Sequence, residues 1–108
     1  HGLYVIEDCA QAPMAKYKDQ YIGTIGDIGI FSLNYHKHIH TGEGGALFCK
    51  DPELFHQLYY SHNFGHNGPL DFHGLGINGK MSELQAAMGL SVLPYMELII
   101  EKRAEIVK

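Results

Sequence analysis

The chain has 108 residues and a formal net charge of -4, and 45% of its residues are hydrophobic. This composition is typical of an ordinary globular domain and excludes fibrous, disordered and disulfide-rich classes. The mild acidity and the lack of a basic patch argue against a nucleic-acid partner and against binding to an anionic membrane surface. No apolar run approaches the roughly 20 residues that a membrane-spanning helix needs.

Both ends of the chain have the character of segment interiors. Strand-like residues begin almost immediately after His1, and the helical pattern near Lys108 carries no stop signal. We therefore expect a piece of a longer polypeptide, with neither end at a domain boundary. Cys9 and Cys49 lie in apolar, strand-like settings, which predicts reduced, buried cysteines and a cytoplasmic protein.

Three apolar runs predict strands. They cover residues 3–6, 28–34 and 45–49, and none of them alternates polar with apolar residues. Unbroken apolar strands are typical of a sheet that is buried on both faces and covered by helices. Between the first two runs, residues 16–27 contain short β-prone pieces that predict a small hairpin or loop excursion.

A helix start and a long loop follow the third strand. Asp51 is a good N-cap residue and Pro52 suits the first helical position, so a helix is predicted from there. Residues 63–79 hold five of the 13 glycines, a density that predicts a loop. Loops of this length inside a domain are usually functional or mobile.

Helices are predicted for the rest of the chain. The first covers residues 81–93 with Ser82 near its beginning, Pro94 interrupts it, and a second helix begins at residue 95. Strands alternating with helices indicate an α/β layer structure.

Three polar side chains are predicted to converge at one edge of this sheet. Asp8 and Ser32 stand at the carboxyl ends of the first two strands, and Lys37 follows the second; ligands of open α/β sheets bind beyond those ends. A lysine amine can condense with an aldehyde as a Schiff base. A carboxylate can keep a ring nitrogen protonated, and a hydroxyl with free backbone N–H groups can bind a phosphate. The set suits an aldehyde cofactor that carries a phosphate and a basic ring nitrogen.

Three stretches carry a family resemblance. The segments "VIEDCAQAPMAKY", "GTIGDIGIFSLNYHKHIHTGEGGALF" and "GINGKMSELQAAMGLSVL" closely resemble sugar aminotransferases of the DegT/DnrJ/EryC1/StrS family. Members are pyridoxal 5'-phosphate (PLP) enzymes of fold type I, the aspartate aminotransferase fold. The resemblance implies an α/β chain in which residues 1–93 are part of the large PLP-binding domain, a mostly parallel sheet flanked by helices. Residues 94–108 would begin a helix that leads toward a C-terminal small domain.

The resemblance also implies roles for five residues. Lys37 matches the lysine that binds the cofactor covalently and moves the proton, and Asp8 matches the acid that faces the pyridine nitrogen. Gln11 matches a side chain near the ring hydroxyl, and Ser32 matches a phosphate ligand. Asn78 matches an asparagine that reaches the cofactor phosphate of the neighbouring subunit, which implies a homodimer with shared sites.

Other positions resemble the family in part. Glu43 and the glycines around it look like a support for the lysine loop. His36 stands where the family commonly has a small or hydroxyl residue, and Lys80 stands where it commonly has arginine. His62, His66 and His73 could meet a sugar nucleotide or lie on the surface.

The implied activity is transfer of an amino group from an amino acid, with glutamate expected, to a nucleotide-linked keto sugar, with a dTDP-linked 4-keto-6-deoxyhexose expected. One alternative is a PLP-dependent sugar dehydratase of the same superfamily, in which histidine replaces the lysine. The other is a non-enzymatic metal-binding module, because His36, His38 and His40 would share one face if they lay on a strand. No carboxylate or cysteine nearby completes a metal-ligand set, so no metal site is expected.

Overall fold

The computed structural model describes residues 1–107. In chain order the elements are β1 (Ile6–Asp8), β2 (Lys16–Tyr17), β3 (Gln20–Tyr21), β4 (Ile28–Ser32), β5 (Gly45–Cys49), α1 (Pro52–Ser61), α2 (Glu83–Val92) and α3 (Met96–Val107).

The main sheet has three strands in the order β1–β4–β5. β1 runs parallel to β4, with Asp8 opposite Ile30, and β5 runs antiparallel to β4, with Ser32 opposite Gly45. Because β1 and β4 are parallel neighbours, their carboxyl ends meet at the same edge of the sheet. The loops that follow these two strands therefore start side by side.

The first strand lies later in the chain than residues 3–6, where the sequence predicts it. Val5 nevertheless joins β1 to β4, because its N–H donates to Asp27 Oδ2 at 2.7 Å and its carbonyl accepts from the Asp27 N–H at 2.9 Å. Because β1 covers Ile6–Asp8, Asp8 is the last residue of the strand instead of lying just past it.

The predicted burial of the strands on both faces is wrong for this chain. Leu3 is 79% exposed and Leu47, in β5, is 53% exposed, whereas the buried apolar side chains are Cys9 and Met96. The physical reason is that an apolar sheet face must be covered by another layer, and within the described residues only part of this sheet is covered, α1 packing against β5. Cys49, predicted to be buried, is half-exposed, and both cysteines are free thiols.

The excursion between β1 and β4 contains the predicted hairpin. β2 and β3 pair antiparallel, and the two residues between them, Lys18 and Asp19, both have positive φ, 47° and 63°. Two positive φ values in a two-residue loop define the type I′ turn, whose twist suits a hairpin.

The helix boundaries follow from their caps. Asp51 Oδ1 accepts from the N–H groups of Glu53 at 2.8 Å and Leu54 at 3.2 Å, and α1 begins at Pro52 as predicted. Ser82 caps α2 through a capping box with Gln85. Pro94 lies in a 3₁₀ turn that separates α2 from α3. The last residue of the predicted segment 94–108 lies outside the described residues.

The predicted loop at residues 63–79 contains no helix or strand. It is nonetheless held together by two isolated β-bridges, Asn63 with Asn78 and His66 with Phe72. The Phe64 N–H also donates to the Ile77 carbonyl at 2.9 Å. The loop thus returns on itself and brings its two ends together.

No helix within residues 1–107 combines the length and the apolar character that crossing a membrane requires.

Candidate active site

Asp8 and Ser32 lie at the carboxyl ends of neighbouring parallel strands, as the sequence predicts. The ladder continues one step beyond β1, because the Cys9 N–H donates to the Ile30 carbonyl at 2.9 Å. Asp8 Oδ1 accepts from the Ala10 N–H at 3.1 Å, and Ser32 Oγ lies 3.4 Å from the Asn34 N–H. Both side chains thus lie where a strand ends and a loop leaves this edge of the sheet.

Lys37 and Gln11 are in direct contact. The Lys37 ammonium donates to Gln11 Oε1 at 2.6 Å, although the two residues are 26 positions apart in the sequence. Gln11 lies in a turn in which the Ala12 N–H donates to the Cys9 carbonyl at 3.1 Å. Lys37 ends a second turn, in which its own N–H donates to the Asn34 carbonyl at 2.9 Å. The contact therefore joins the two loops that follow β1 and β4.

The loop that carries Lys37 is supported by Glu43, as the family resemblance implies, together with Asn34, Thr41 and Gln85, whose part in the site the sequence did not reveal. Asn34 Nδ2 donates to both carboxylate oxygens of Glu43, at 2.8 and 2.9 Å. The Glu43 carbonyl accepts from Thr41 Oγ1 at 2.9 Å and from Gln85 Nε2 at 2.7 Å. Thr41 is only 4% exposed. A capping residue such as Gln85 is recognisable from sequence, but its reach to a distant loop is not.

Gly44 has a packing reason to be glycine. A Cβ at this position would lie 2.4 Å from Thr41 Oγ1, which is closer than two atoms can approach without displacement. The Gly44 carbonyl also accepts from the Leu33 N–H at 2.9 Å. The missing side chain of Gly44 thus allows the backbone after Glu43 to pack closely against Thr41.

Asn78 lies apart from this cluster. Its Oδ1 accepts from Lys80 Nζ at 2.6 Å, and the same ammonium lies 4.0 Å from the centre of the Phe64 ring, a cation–π contact. Within residues 1–107 no hydrogen bond joins Asn78 to the other four predicted site residues.

The three clustered histidines do not lie on a strand. His36, His38 and His40 are in the irregular loop between β4 and β5, so the premise that they share one strand face is wrong. Within the described residues no three metal-ligating side chains are grouped to hold an ion. The Nδ1 atoms of His38 and His40 are buried without a hydrogen-bond partner there. Burial lowers the pKa of His38, and the positive charges of Arg103 and Lys37 lower it further.

The three histidines in or beside the long loop, His62, His66 and His73, have contacts there. His73 stacks on Tyr60 with ring centres 4.7 Å apart, and His73 Nε2 lies 3.2 Å from Asp71 Oδ2. His66 packs against Phe72, and His62 Nδ1 contacts the Tyr59 carbonyl.

The residues at the sheet edge fit PLP by their chemistry. Lys37, Gln11, Asp8 and Ser32 bring an amine, an amide, a carboxylate and a hydroxyl to the same edge of the sheet. The amine can bind an aldehyde, and the other three can meet a ring nitrogen, a ring hydroxyl and a phosphate. These four side chains therefore offer a partner for each main polar group of the cofactor. A single hydroxyl supplies only part of a phosphate site.

Comparisons with known proteins show what the chain is similar to. The chain is 38% identical over 111 aligned residues to the GDP-perosamine synthase of Escherichia coli. The alignment covers 97% of this chain and 29% of the synthase. A protein of Streptococcus pneumoniae solved in a PLP form is 27% identical, with a TM-score of 0.85 over 96% of this chain and 29% of that one. The GDP-4-keto-6-deoxymannose-3-dehydratase ColD, solved with bound GDP-perosamine, is 26% identical, with a TM-score of 0.82 over 88% of this chain and 30% of that one.

The chain spans less than a third of the length of these relatives. The structural matches confirm the predicted α/β architecture, that of a part of a fold type I aminotransferase. Residues 1–108 match the family model throughout, and the chain belongs to the DegT/DnrJ/EryC1/StrS aminotransferase family.

Proposed function

We propose that the whole protein is a PLP-dependent aminotransferase that moves an amino group from glutamate to a nucleotide-linked keto sugar, with a dTDP-linked 4-keto-6-deoxyhexose as the expected acceptor. The observation that carries the proposal is the Lys37 amine at the carboxyl edge of β1 and β4, 2.6 Å from Gln11. The similarity to GDP-perosamine synthase supports a nucleotide-linked sugar as the substrate class.

PLP, when bound, supplies an aldehyde that reacts with amines and a ring that accepts electrons from the reacting carbon. Lys37 Nζ is the group that binds this aldehyde and later moves a proton between the substrate carbon and the cofactor carbon. A lysine suits both tasks because its amine is a nucleophile and a base on a long, flexible side chain.

The neighbouring residues hold the cofactor in place. The Asp8 carboxylate, at the end of β1, keeps the proton on the ring nitrogen, since a negative charge nearby favours the protonated ring. With PLP bound, Gln11 would approach the ring hydroxyl, and Ser32 Oγ would donate to the phosphate. Asn78, which is hydrogen-bonded to Lys80, reaches the phosphate of the partner subunit in a homodimer with shared sites.

A sugar dehydratase is the second candidate, and the structural match to ColD favours it. The residue at position 37 separates the two proposals. A dehydratase of this superfamily has histidine at the lysine position, whereas here the position is Lys37 and His36 and His38 only flank it. The lysine favours amino transfer.

The products distinguish these functions. The whole protein, loaded with PLP, is given glutamate and in turn a 3-keto and a 4-keto sugar nucleotide, and the sugar products are identified by mass spectrometry. Replacement of a ketone by an amine, with release of 2-oxoglutarate, supports the proposal and identifies the carbon. Loss of water from the sugar without gain of nitrogen supports the dehydratase and contradicts the aminotransferase.

A further inference from the structure

We propose that Gln11 holds the Lys37 amine whenever that amine is not bound to the cofactor, so that Gln11 is a positioning residue for proton transfer by Lys37. This inference rests on the proposed function. It assigns to Gln11 a contact with the lysine itself, in addition to the contact with the ring hydroxyl that the family resemblance implies.

The contact joins two supported loops. Gln11 follows the buried Cys9, whose carbonyl closes the turn around it through the Ala12 N–H at 3.1 Å. Lys37 stands on a loop in which Asn34 is fixed by two hydrogen bonds to Glu43. With both backbones supported, the distance of 2.6 Å between Lys37 Nζ and Gln11 Oε1 reflects the arrangement of the sheet edge.

The chemistry of an amide suits a lysine that must be released repeatedly. Within residues 1–107 no carboxylate forms an ion pair with Lys37, so the neutral Gln11 oxygen is its hydrogen-bond acceptor. A carboxylate in this place would bind the ammonium more strongly and favour its charged form, since an opposite charge at this distance stabilises the charged amine. An amide restrains the side chain and still allows the amine to leave and to lose its proton.

Such a restraint matters because the lysine side chain is long and flexible. An amine that is free to rotate would spend much of its time away from the carbon whose proton it moves. Proton transfer needs the base within hydrogen-bond reach of that carbon, and holding a reacting group in place is a large source of rate enhancement. Gln11 confines the amine to the carboxyl edge of β1 and β4, where the cofactor binds.

The test measures the chemical reactivity of Lys37 in the whole protein freed of cofactor. Trace acetic anhydride at neutral pH labels the lysines, and peptide mass spectrometry gives the labelling of Lys37 relative to the exposed Lys102. The variants are Gln11→Leu, which removes the acceptor, Gln11→Asn, whose amide is one methylene too short, and Gln11→Glu, which replaces the amide by a carboxylate. The matched control is Gln57→Leu, on the exposed surface of α1.

We expect Gln11→Leu and Gln11→Asn to raise the labelling of Lys37 about fivefold, since a single hydrogen bond to the ammonium is lost. Gln11→Glu should lower the labelling below that of the wild type, and Gln57→Leu should leave it unchanged. Circular dichroism checks the fold of each variant. If Gln11→Leu does not fold, the labelling of Lys37 should still decrease from Gln11→Asn through the wild type to Gln11→Glu, which tests the same contact. Equal labelling in all folded variants would overturn the inference.

A second readout connects the contact to proton transfer. In the PLP-loaded protein, Gln11→Leu should slow the exchange of the glutamate α-proton with solvent about tenfold, with little change in the KM for glutamate. Unchanged exchange would show that the contact does not position the base. Failure of the proposed function is a different result: the wild type would then exchange no α-proton and transfer no amine, while the labelling of Lys37 would still respond to Gln11.

Discussion

Nothing in the immediate neighbourhood of Lys37 distinguishes it from a solvated surface lysine. It stands in an irregular loop between two histidines, and its significance comes from residues that are distant in the sequence. Asp8 ends β1, Gln11 follows β1 and Lys37 follows β4, so their arrangement at one edge depends on the parallel pairing of these two strands. At the scale of single residues, the proposal is therefore tested by changing this lysine alone.

Replacing Lys37 by alanine in the whole protein should abolish most turnover and leave the fold intact. The change removes both the covalent attachment and the proton-moving amine, and a positioned general base alone typically contributes about 10²–10⁴-fold. Asp8, Gln11 and Ser32 remain, so PLP should still bind, but without a covalent bond to the protein. Steady-state kinetics and the absorption spectrum of the dialysed protein measure the two effects.

The matched control is Lys102→Ala, because Lys102 forms only an exposed ion pair with Glu105 on α3. Exposed pairs contribute little to stability, so this variant should keep wild-type turnover. Near-normal turnover of Lys37→Ala would identify Lys37 as a surface charge.

The sequence predicted which residues belong to this edge better than it predicted their contacts. Apolar runs predict the strands, and ligands of open sheets bind beyond the strands' carboxyl ends, so Asp8 and Ser32 were expected at one edge, where they lie. The contact between Asn34 and Glu43 was not predictable in the same way, because it depends on how an irregular loop folds back. Asn34 carries no local sign that its amide meets a carboxylate nine residues later.

At the scale of elements, hydrogen bonds to the Glu7 side chain hold the segment before β4 against β1. The sequence did not indicate this role of Glu7. The Glu7 carboxylate accepts from the N–H groups of Gly23 at 2.7 Å, Ile25 at 2.8 Å and Gly26 at 2.6 Å. The bonds from Gly23 and Gly26, with smaller contributions from Ile25 and the charge of Lys50, hold the pKa of Glu7 below its usual range. A carboxylate that accepts several backbone N–H groups is stabilised in its charged form.

This shift in the pKa of Glu7 predicts a pH dependence. Because the folded-state pKa lies below the unfolded one, Glu7 contributes its full stabilisation above about pH 4.3, the ordinary glutamate pKa. That contribution is lost as the pH falls further, through the folded-state pKa. Glu7→Gln should therefore lower stability at neutral pH and reduce the loss of stability on acidification.

Urea denaturation of the whole protein and of Glu7→Gln between neutral and acidic pH measures this effect. The control is Glu53→Gln, which removes an exposed carboxylate in the first turn of α1. Parallel pH profiles of the wild type and Glu7→Gln would contradict the assignment.

The elements differed in how well they could be predicted. Asp51 and Ser82 cap helices by local hydrogen bonds; α1 begins at Pro52 as expected, and α2 begins at Glu83, two residues after the start of the predicted segment 81–93. The burial of β1 and β5 was predicted wrongly, because unbroken apolar runs indicate that a strand is covered without indicating which part of the polypeptide covers it. The covering layer is only partly present among the described residues.

At the scale of the whole molecule, the described chain is a flat layer. It measures 53 × 41 × 17 Å with a radius of gyration of 15.9 Å, whereas a compact domain of about 100 residues has a radius near 13 Å. Large apolar side chains are widely exposed, among them Leu70 at 93% and Leu75 at 98%. Exposed apolar surface of this extent is unusual for a monomeric soluble protein and is typical of surfaces that bind another molecule or protein segment.

The 108-residue chain in isolation should therefore lack a cooperative thermal transition, bind a hydrophobic dye and transfer no amino group. Its apolar surface is too poorly buried to offset the conformational entropy of folding. Differential scanning calorimetry and dye fluorescence, with the whole protein as the control, measure this. A sharp unfolding transition together with turnover by the isolated chain would show that the site needs no further polypeptide.

The proposed sharing of sites between subunits can be tested with hybrid dimers. Lys37→Ala and Asn78→Ala should each be nearly inactive as homodimers. If Asn78 serves the partner's site, a mixed dimer has one site with both residues intact, and random exchange should restore about a quarter of full activity. If Asn78 serves its own site, every site in the mixture lacks one residue, and activity should stay at the level of the separate variants.

The most direct measurement of the central claim is the position of the covalent bond to PLP. The whole protein is loaded with PLP, reduced with borohydride, digested, and mapped by mass spectrometry, with Lys37→Ala as the control. We predict a phosphopyridoxyl group on Lys37 in the wild type and on no lysine in the variant. Full retention of PLP with no labelled lysine, or a label on Lys80 or any lysine other than Lys37, would contradict the assignment of Lys37 as the residue on which amino transfer depends.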